Sequence, residues 1–431
     1  MKVLMFGWEF PPHIAGGLGT ACYGLTRGLS HAGVEIIFVV PRTFGDEDQS
    51  YVHLTNASDV TVSKRNFTFS DIKQKINLLE VGINLVPYLS PEEFEKFSGV
   101  DIAETIESSG SVFSANYKFT GGYGKNLLEE VARYALVASV LASENEFDVI
   151  HAHDWLTYPA GIAAKNVSGK PLIVHMHATE FDRSGENINT SVFDIEKQGM
   201  EFADRVITVS NFTRNIVIEK YGINPDKVVT VYNAVDTAKV CQDFEIQKGI
   251  KDKIVTFLGR VTFQKGPDYF VEAAYKVLQK SGNVHFVMAG SGDMLNKIIR
   301  RVAELGMSTK FHFAGFLKGD EVAGMFAMSD VYVMPSVSEP FGISPLEALR
   351  SNVPVIISKQ SGVSEILTHA IKVDFWDIDA MADAIYGLLN YEGLSKMFRH
   401  YGKDEVDQLK WENAANIVKT IYESLTIPLH E

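Results

Sequence analysis

Arg260 and Lys265 stand five positions apart in Gly259-Arg260-Val261-Thr262-Phe263-Gln264-Lys265-Gly266. Two cations on one loop suit a diphosphate, the guanidinium forking onto its oxygens and the ammonium acting as a point charge. Two solvated surface charges are the plainer alternative. Glu339 and Glu347 stand eight apart in Glu339-Pro340-Phe341-Gly342-Ile343-Ser344-Pro345-Leu346-Glu347. Carboxylates so spaced would meet different parts of one ligand, while the N–H groups of Gly342, Ile343 and Ser344, at a helix start, could hold a phosphate. Capping and solvation would also account for them. Gly16-Gly17-Leu18-Gly19 lets backbone approach a ligand at the start of another helix. It matches neither the dinucleotide fingerprint nor a P-loop, so a simple turn stays open. Last comes a doubled His-x-His: His151 and His153, followed by Asp154 and Trp155, then His175 and His177. Positions i and i+2 of a strand share a face. Four such rings could ligate a metal, bond a hydroxyl-rich ligand, or pack as satisfied core histidines. The pair Asp377 and Asp379 reads as a helix cap rather than a metal ligand set.

The elements that must carry these residues are visible as short Val- and Ile-rich runs alternating with longer amphipathic ones. Strands are expected at 2–6, 35–40, 149–151, 172–176, 205–209 and 228–231, with helices at 18–32, 127–143 and 212–220. A second series has strands at 254–258, 284–289, 311–313, 331–334, 355–357 and 371–373, with helices at 267–279, 295–304, 321–328, 344–350 and 378–390. Such repetition predicts parallel α/β sheets, with ligands outside the carboxyl ends of the strands. The polar stretch 238–253 divides the series into a domain 1–240 and a domain 241–410, both doubly wound and facing a cleft. An amphipathic helix at 411–425 could join either. The stretch 44–124 is irregular, with weak strands expected at 51–54 and 84–87.

Composition narrows the function classes. The chain has 431 residues, 46% hydrophobic and 22% charged, and a net charge of −14. That balance belongs to a soluble globular protein and excludes a duplex-binding surface or polybasic membrane anchor. Two cysteines, Cys22 and Cys241, cannot build a disulfide framework. No apolar run reaches the roughly 18 residues of a membrane span, and the N-terminal run is too short for a signal peptide. A reducing cytoplasm is the expected setting. Residues 1–240 hold 20 basic and 30 acidic side chains, net −10; the remainder hold 20 and 24, net −4.

In this order along nearly the whole chain, the motifs resemble those of the retaining GT-B glycosyltransferases, in particular glycosyltransferase family 4 and the glycogen and starch synthases. The resemblance implies two Rossmann-like domains, a nucleotide-sugar donor held mostly by the C-terminal one, a carbohydrate acceptor, and transfer without a metal or other cofactor. It implies that Arg260 and Lys265 clamp the diphosphate, Glu347 binds the ribose and Glu339 the donor sugar's hydroxyls. Gly17, beside Gly16, then meets the diphosphate through its backbone, and His177 lies beside the reacting sugar. His153 and Asp154 line the cleft, the loop at Phe316 and Leu317 lies near the base, and the C-terminal helix crosses back to the N-terminal domain. Glycogen synthases carry a lysine where this chain has Ile14 and an aspartate where it has Thr20. Many bacterial ones carry tyrosine at the position of Glu347. These departures pull toward family 4. They leave ADP- or UDP-glucose and an α-glucan or oligosaccharide as the expected substrates, with another family 4 donor or acceptor as the alternative. A zinc hydrolase built on the His pairs, a non-catalytic nucleotide-sugar-binding protein and a sugar-nucleotide epimerase are the rivals from other classes.

Overall fold

The computed structural model describes residues 1–13, 16–63, 114–123, 127–235 and 251–426. The proposed break at 240/241, the expected strand at 84–87, and Ile14 and Cys241 lie outside them. Two parallel sheets dominate. The first is built from β1 (Lys2–Phe6), β2 (Glu35–Val40), β3 (His53–Asn56), β6 (Val149–His153), β7 (Leu172–Met176), β8 (Arg205–Thr208) and β9 (Val228–Thr230). Between β3 and β6 lies a small antiparallel pair, β4 (Thr61–Ser63) with β5 (Ser114–Asn116). The second sheet is built from β10 (Lys253–Leu258), β11 (Val284–Ala289), β12 (Phe311–Gly315), β13 (Val331–Met334), β14 (Val355–Ser358) and β15 (Ile371–Val373).

The sheet orders are β3-β2-β1-β6-β7-β8-β9 and β12-β11-β10-β13-β14-β15. Each runs outward from its first strand and then reverses, so each has a switch point, between β1 and β6 and between β10 and β13. Ligands of open parallel sheets bind at such points. Sequence dictates why these strands are interior. In β1 the side chains alternate between two cores, Val3 and Met5 on one face and Leu4 and Phe6 on the other. A strand buried on both faces has no polar side to show.

One face of the first sheet is covered by the helices Leu127–Glu144, Tyr158–Ser168 and Thr190–Phe202. The other is covered by Gly17–His31 and the C-terminal helix Trp411–Thr426. Glycines let these last two come close. A Cβ on Gly24 would lie 2.2 Å from the Trp411 ring, and one on Gly28 would lie 2.8 Å from the Trp411 carbonyl oxygen. Lys419 Nζ then donates to Ala32 O at 2.8 Å.

The two halves also touch directly. Ser210 Oγ accepts from Thr213 N at 3.0 Å, capping the helix Asn211–Tyr221, and donates to Pro340 O at 2.5 Å in the other half. Glu365 answers the same helix start, accepting from Asn211 N at 3.0 Å and Phe212 N at 2.6 Å, where a carboxylate complements the helix dipole. No described helix is long and apolar enough to cross a membrane.

Candidate active site

The second half offers the cationic side. After β10 the chain makes a 3₁₀ turn, Phe263–Lys265, closed by Gly266 at φ 64°. Only glycine fits there without strain, and a Cβ would also lie 2.1 Å from Pro335 O. Pro267 then opens the helix Pro267–Lys280. This turn brings Lys265 Nζ to Glu339 Oε2 at 2.6 Å, while Ser336 Oγ donates to the same oxygen at 3.0 Å. Glu339 is 7% exposed, so its carboxylate is held by partners rather than by water. Arg260 is exposed at the same loop, its Nη2 donating to Gln264 Oε1 at 3.3 Å. Glu347 lies one turn into the helix Ser344–Arg350, its N–H donating to Ile343 O at 3.2 Å. Gly342, at φ 101°, makes the turn into that helix. Ile343 packs against cores of both halves. Phe316 is 51% exposed, with Lys318 Nζ 5.6 Å from its ring, whereas Leu317 packs at the edge of the core beneath.

The first half contributes the strand ends. Gly16 and Gly17 are exposed at the start of their helix, and a Cβ on either would meet nothing within 4 Å. Behind them Glu9, 7% exposed, accepts from Gly19 N at 3.2 Å. His151 and His153 on β6, and His175 on β7 with His177 just beyond, form a grid on the face covered by Gly17–His31 and the C-terminal helix. His151 stacks on His153 at 4.2 Å and His175 on His177 at 4.3 Å between ring centroids. His153 Nδ1 lies 3.0 Å from His177 Nε2, and His151 Nδ1 lies 2.5 Å from the Tyr422 hydroxyl. Burial holds all four rings neutral, His177 down to about 3. His177 is half-buried at the cleft, whereas His153 has no exposed surface and reaches a ligand only through His177. Asp154, at φ 63° and 8% exposed, is pushed up to about 6 by burial. Its Oδ1 is buried without a hydrogen-bond partner.

Direct contacts bring the two sides together. Ser338, next to Glu339, donates its hydroxyl to Asp182 Oδ1 at 2.5 Å, five residues beyond His177. Asp182 is fixed by a reciprocal cap with Thr179. The Tyr123 hydroxyl feels Glu9 and Asp154 from the first half and Arg260 from the second. Ser336, Ser338, Asp182 and Tyr123 were not singled out from sequence. The serines interleaved in Ser336-Val337-Ser338-Glu339 were the available signal, since hydroxyls so close to a buried carboxylate are apt to hold it. Asp377 proves to be a helix cap, its Oδ1 accepting from Ala380 N at 2.9 Å.

The geometry therefore places cations and two helix starts on one side and neutral imidazoles on the other, at the switch points of the two sheets. It can hold a diphosphate on one side and hydroxyls on the other. The model of glycosyltransferase family 4 matches residues 113–239, and that of the glycosyl transferases group 1 matches residues 242–405. An uncharacterised glycosyltransferase of Methanocaldococcus jannaschii is 28% identical, covering 98% of this chain and 98% of its own. Sucrose-phosphate synthase from Thermosynechococcus elongatus superposes with a TM-score of 0.71 at 16% identity, covering 98% of both chains. The catalytic domain of starch synthase IV from Arabidopsis thaliana, bound to ADP and acarbose, does so with a TM-score of 0.67 at 16% identity over 99% of both. With a family 4 module followed by a group 1 module on two doubly wound sheets, the chain belongs to the GT-B glycosyltransferases of family 4 and is a nucleotide-sugar-dependent glycosyltransferase.

Proposed function

We propose that the protein is a retaining α-glucosyltransferase that moves a glucosyl unit from ADP- or UDP-glucose to an α-glucan or oligosaccharide, without a metal ion. The observation that carries this reading is the Lys265–Glu339 pair at 2.6 Å, with Arg260 exposed on the same loop. Breaking a sugar–phosphate bond develops charge on the departing diphosphate, and fixed cations stabilise that charge most where water is excluded. Arg260 and Lys265 supply the cations; the N–H groups at Gly17 and around Ser344 supply oriented dipoles. Glu339 and Glu347 bind hydroxyls of the donor sugar and ribose. His177 is neutral and offers a hydrogen bond to the sugar rather than a charge. In a front-face displacement the leaving phosphate oxygen takes the acceptor's proton, so no paired carboxylates are required for retention.

The acceptor is assigned to the more acidic first half, where a net −10 over residues 1–240 suits a neutral sugar better than an anionic one. A starch synthase neighbour bound to ADP and acarbose and an Anabaena HepE neighbour in complex with UDP-glucose support an adenosine or uridine diphosphate donor. A cytoplasmic site of action, where nucleotide sugars and free thiols coexist, belongs to the same reading. The test is a matrix of ADP-, UDP- and GDP-glucose against maltooligosaccharides, read by mass spectrometry with and without a chelator. Chelator-insensitive addition of one hexose from ADP- or UDP-glucose is expected. Transfer only with added metal, or only from another sugar, would overturn the corresponding part.

A further inference from the structure

Two clusters of ligand-bearing side chains lie in the histidine grid. His151, His153 and His175 form one; Cys22, His153 and His177 form the other, and in each the ligand atoms lie within 4.8 Å of one another. Ring orientation separates them. In the first, His151 is near-parallel to both partners, at 21° to His153 and 15° to His175. Lone pairs lie in the ring plane, so stacked rings aim them side by side rather than at one point. In the second, His153 and His177 are tilted by 39°, and their facing nitrogens are 3.0 Å apart. Two nitrogens bound tetrahedrally to zinc at ~2.0–2.1 Å stand about 3.3 Å apart, so the ion is seated once the rings separate by a few tenths of an ångström and turn to aim both lone pairs at it.

Cys22 supplies a sulfur, and its surroundings favour a cation. Burial first, and then the charges of Glu9 and Asp154, oppose a lone thiolate at Cys22, while the same two carboxylates attract a positive ion that would share the thiolate's charge. Asp154, whose charge reaches the thiol, has its Oδ1 buried without a hydrogen-bond partner. A buried oxygen with no donor is costly, and the water on a bound divalent ion would supply one. Access is from the cleft, past half-buried His177.

We propose that Cys22, His153 and His177 form a site for a thiophilic divalent cation of the zinc class, which occupies the cleft-facing imidazole and blocks transfer. On binding, the Cys22 thiol loses its proton to solvent, the proton shared between His153 Nδ1 and His177 Nε2 moves to the far nitrogen of its own ring, and their hydrogen bond is replaced by two nitrogen–metal bonds. The ion is thus an inhibitor, not a cofactor, and metal-independent transfer is unaffected by its absence. The inhibition rests on His177 serving the donor site; the binding does not.

The test uses full-length protein, reduced and stripped of metal, titrated with cobalt(II). A thiolate-to-cobalt charge-transfer band saturating at one equivalent is expected, displaced by zinc. The band is lost in Cys22→Ser, kept in Cys241→Ser, and needs at least tenfold more cobalt in His153→Gln. Circular dichroism and melting establish that each variant is folded, with Cys22→Ala as a second thiol deletion. No band in the wild type, or an undiminished band in folded Cys22→Ser, overturns the site. In parallel, zinc should lower turnover of the wild type at least tenfold, reversed by chelator, and Cys22→Ser should resist. A band without inhibition overturns the blocking role. If no glycosyl transfer is found at all, the band still reads the site by itself.

Discussion

Lys265 and Glu339 hold one another at 2.6 Å with side chains only 21% and 9% exposed, so each substitution has two consequences. Removing the ammonium takes a cation from the leaving group, for which losses of about 10²–10³ in turnover are usual. It also leaves a buried carboxylate with Ser336 alone, which lowers stability. Lys265→Ala and Glu339→Ala are each expected to lose at least about a hundredfold in kcat while remaining folded by circular dichroism. Full turnover in either contradicts the site. Arg260 is exposed, and its replacement moves stability by no more than about 0.5 kcal/mol. Arg260→Ala should instead weaken nucleoside diphosphate binding about tenfold or more, as loss of a charged hydrogen bond does. Unchanged affinity by calorimetry counts against the clamp. His175 tests the grid itself, since both of its ring nitrogens are buried without partners. Burial holds its pKa well below the ordinary value. The unfolded ring gains a proton below about pH 6.5, and the folded ring does not. The wild type therefore loses stability as pH falls through that region and none as it rises above. His175→Phe should raise Tm at both pH 8 and pH 5, with the larger gain at pH 5; a gain independent of pH contradicts the assignment.

At the scale of elements, the C-terminal helix is docked by contacts that only small residues allow. A Cβ at Gly28 would press on the Trp411 carbonyl at 2.8 Å and the Ala415 methyl at 2.9 Å, and backbone cannot step aside as a side chain can. Gly28→Ala gains helix propensity worth about 1 kcal/mol, but overpacking costs about 1–3 kcal/mol. A net fall in Tm is expected, and a rise would show that the helices are not so tightly apposed. Strands and amphipathic helices were legible because each has a polar side or a turn to mark it. The helix Tyr158–Ser168 was not, because Tyr158, Ala160, Gly161, Ile162 and Ala164 are buried in different directions and leave no clear period. The helix Glu392–Val406 was missed for the opposite reason: it buries only Ser395, Gly402 and Val406. The expected strand at 51–54 is displaced to His53–Asn56, since register with β2 begins at Ile37 opposite His53. The charged site residues were legible by type and order. The serines and Asp182 that connect them were not, because a Ser–Asp contact 156 positions apart has no local trace.

The molecule as a whole places its chemistry where topology puts any ligand of a doubly wound sheet. Gly17, Asp154 and His177 follow β1, β6 and β7; Arg260, Lys265 and Glu339 follow β10 and β13. Ser338 with Asp182, and Ser210 with Pro340, join the two rims, so neither half carries the whole constellation. The direct test of retaining glucosyl transfer is the configuration of the new bond. Purified protein is supplied with ADP- or UDP-glucose and a maltooligosaccharide in the presence of chelator, and the product is read by proton NMR. The account predicts one added glucosyl unit in an α linkage. A β linkage, or release of free glucose with no elongated product from either donor, would contradict it.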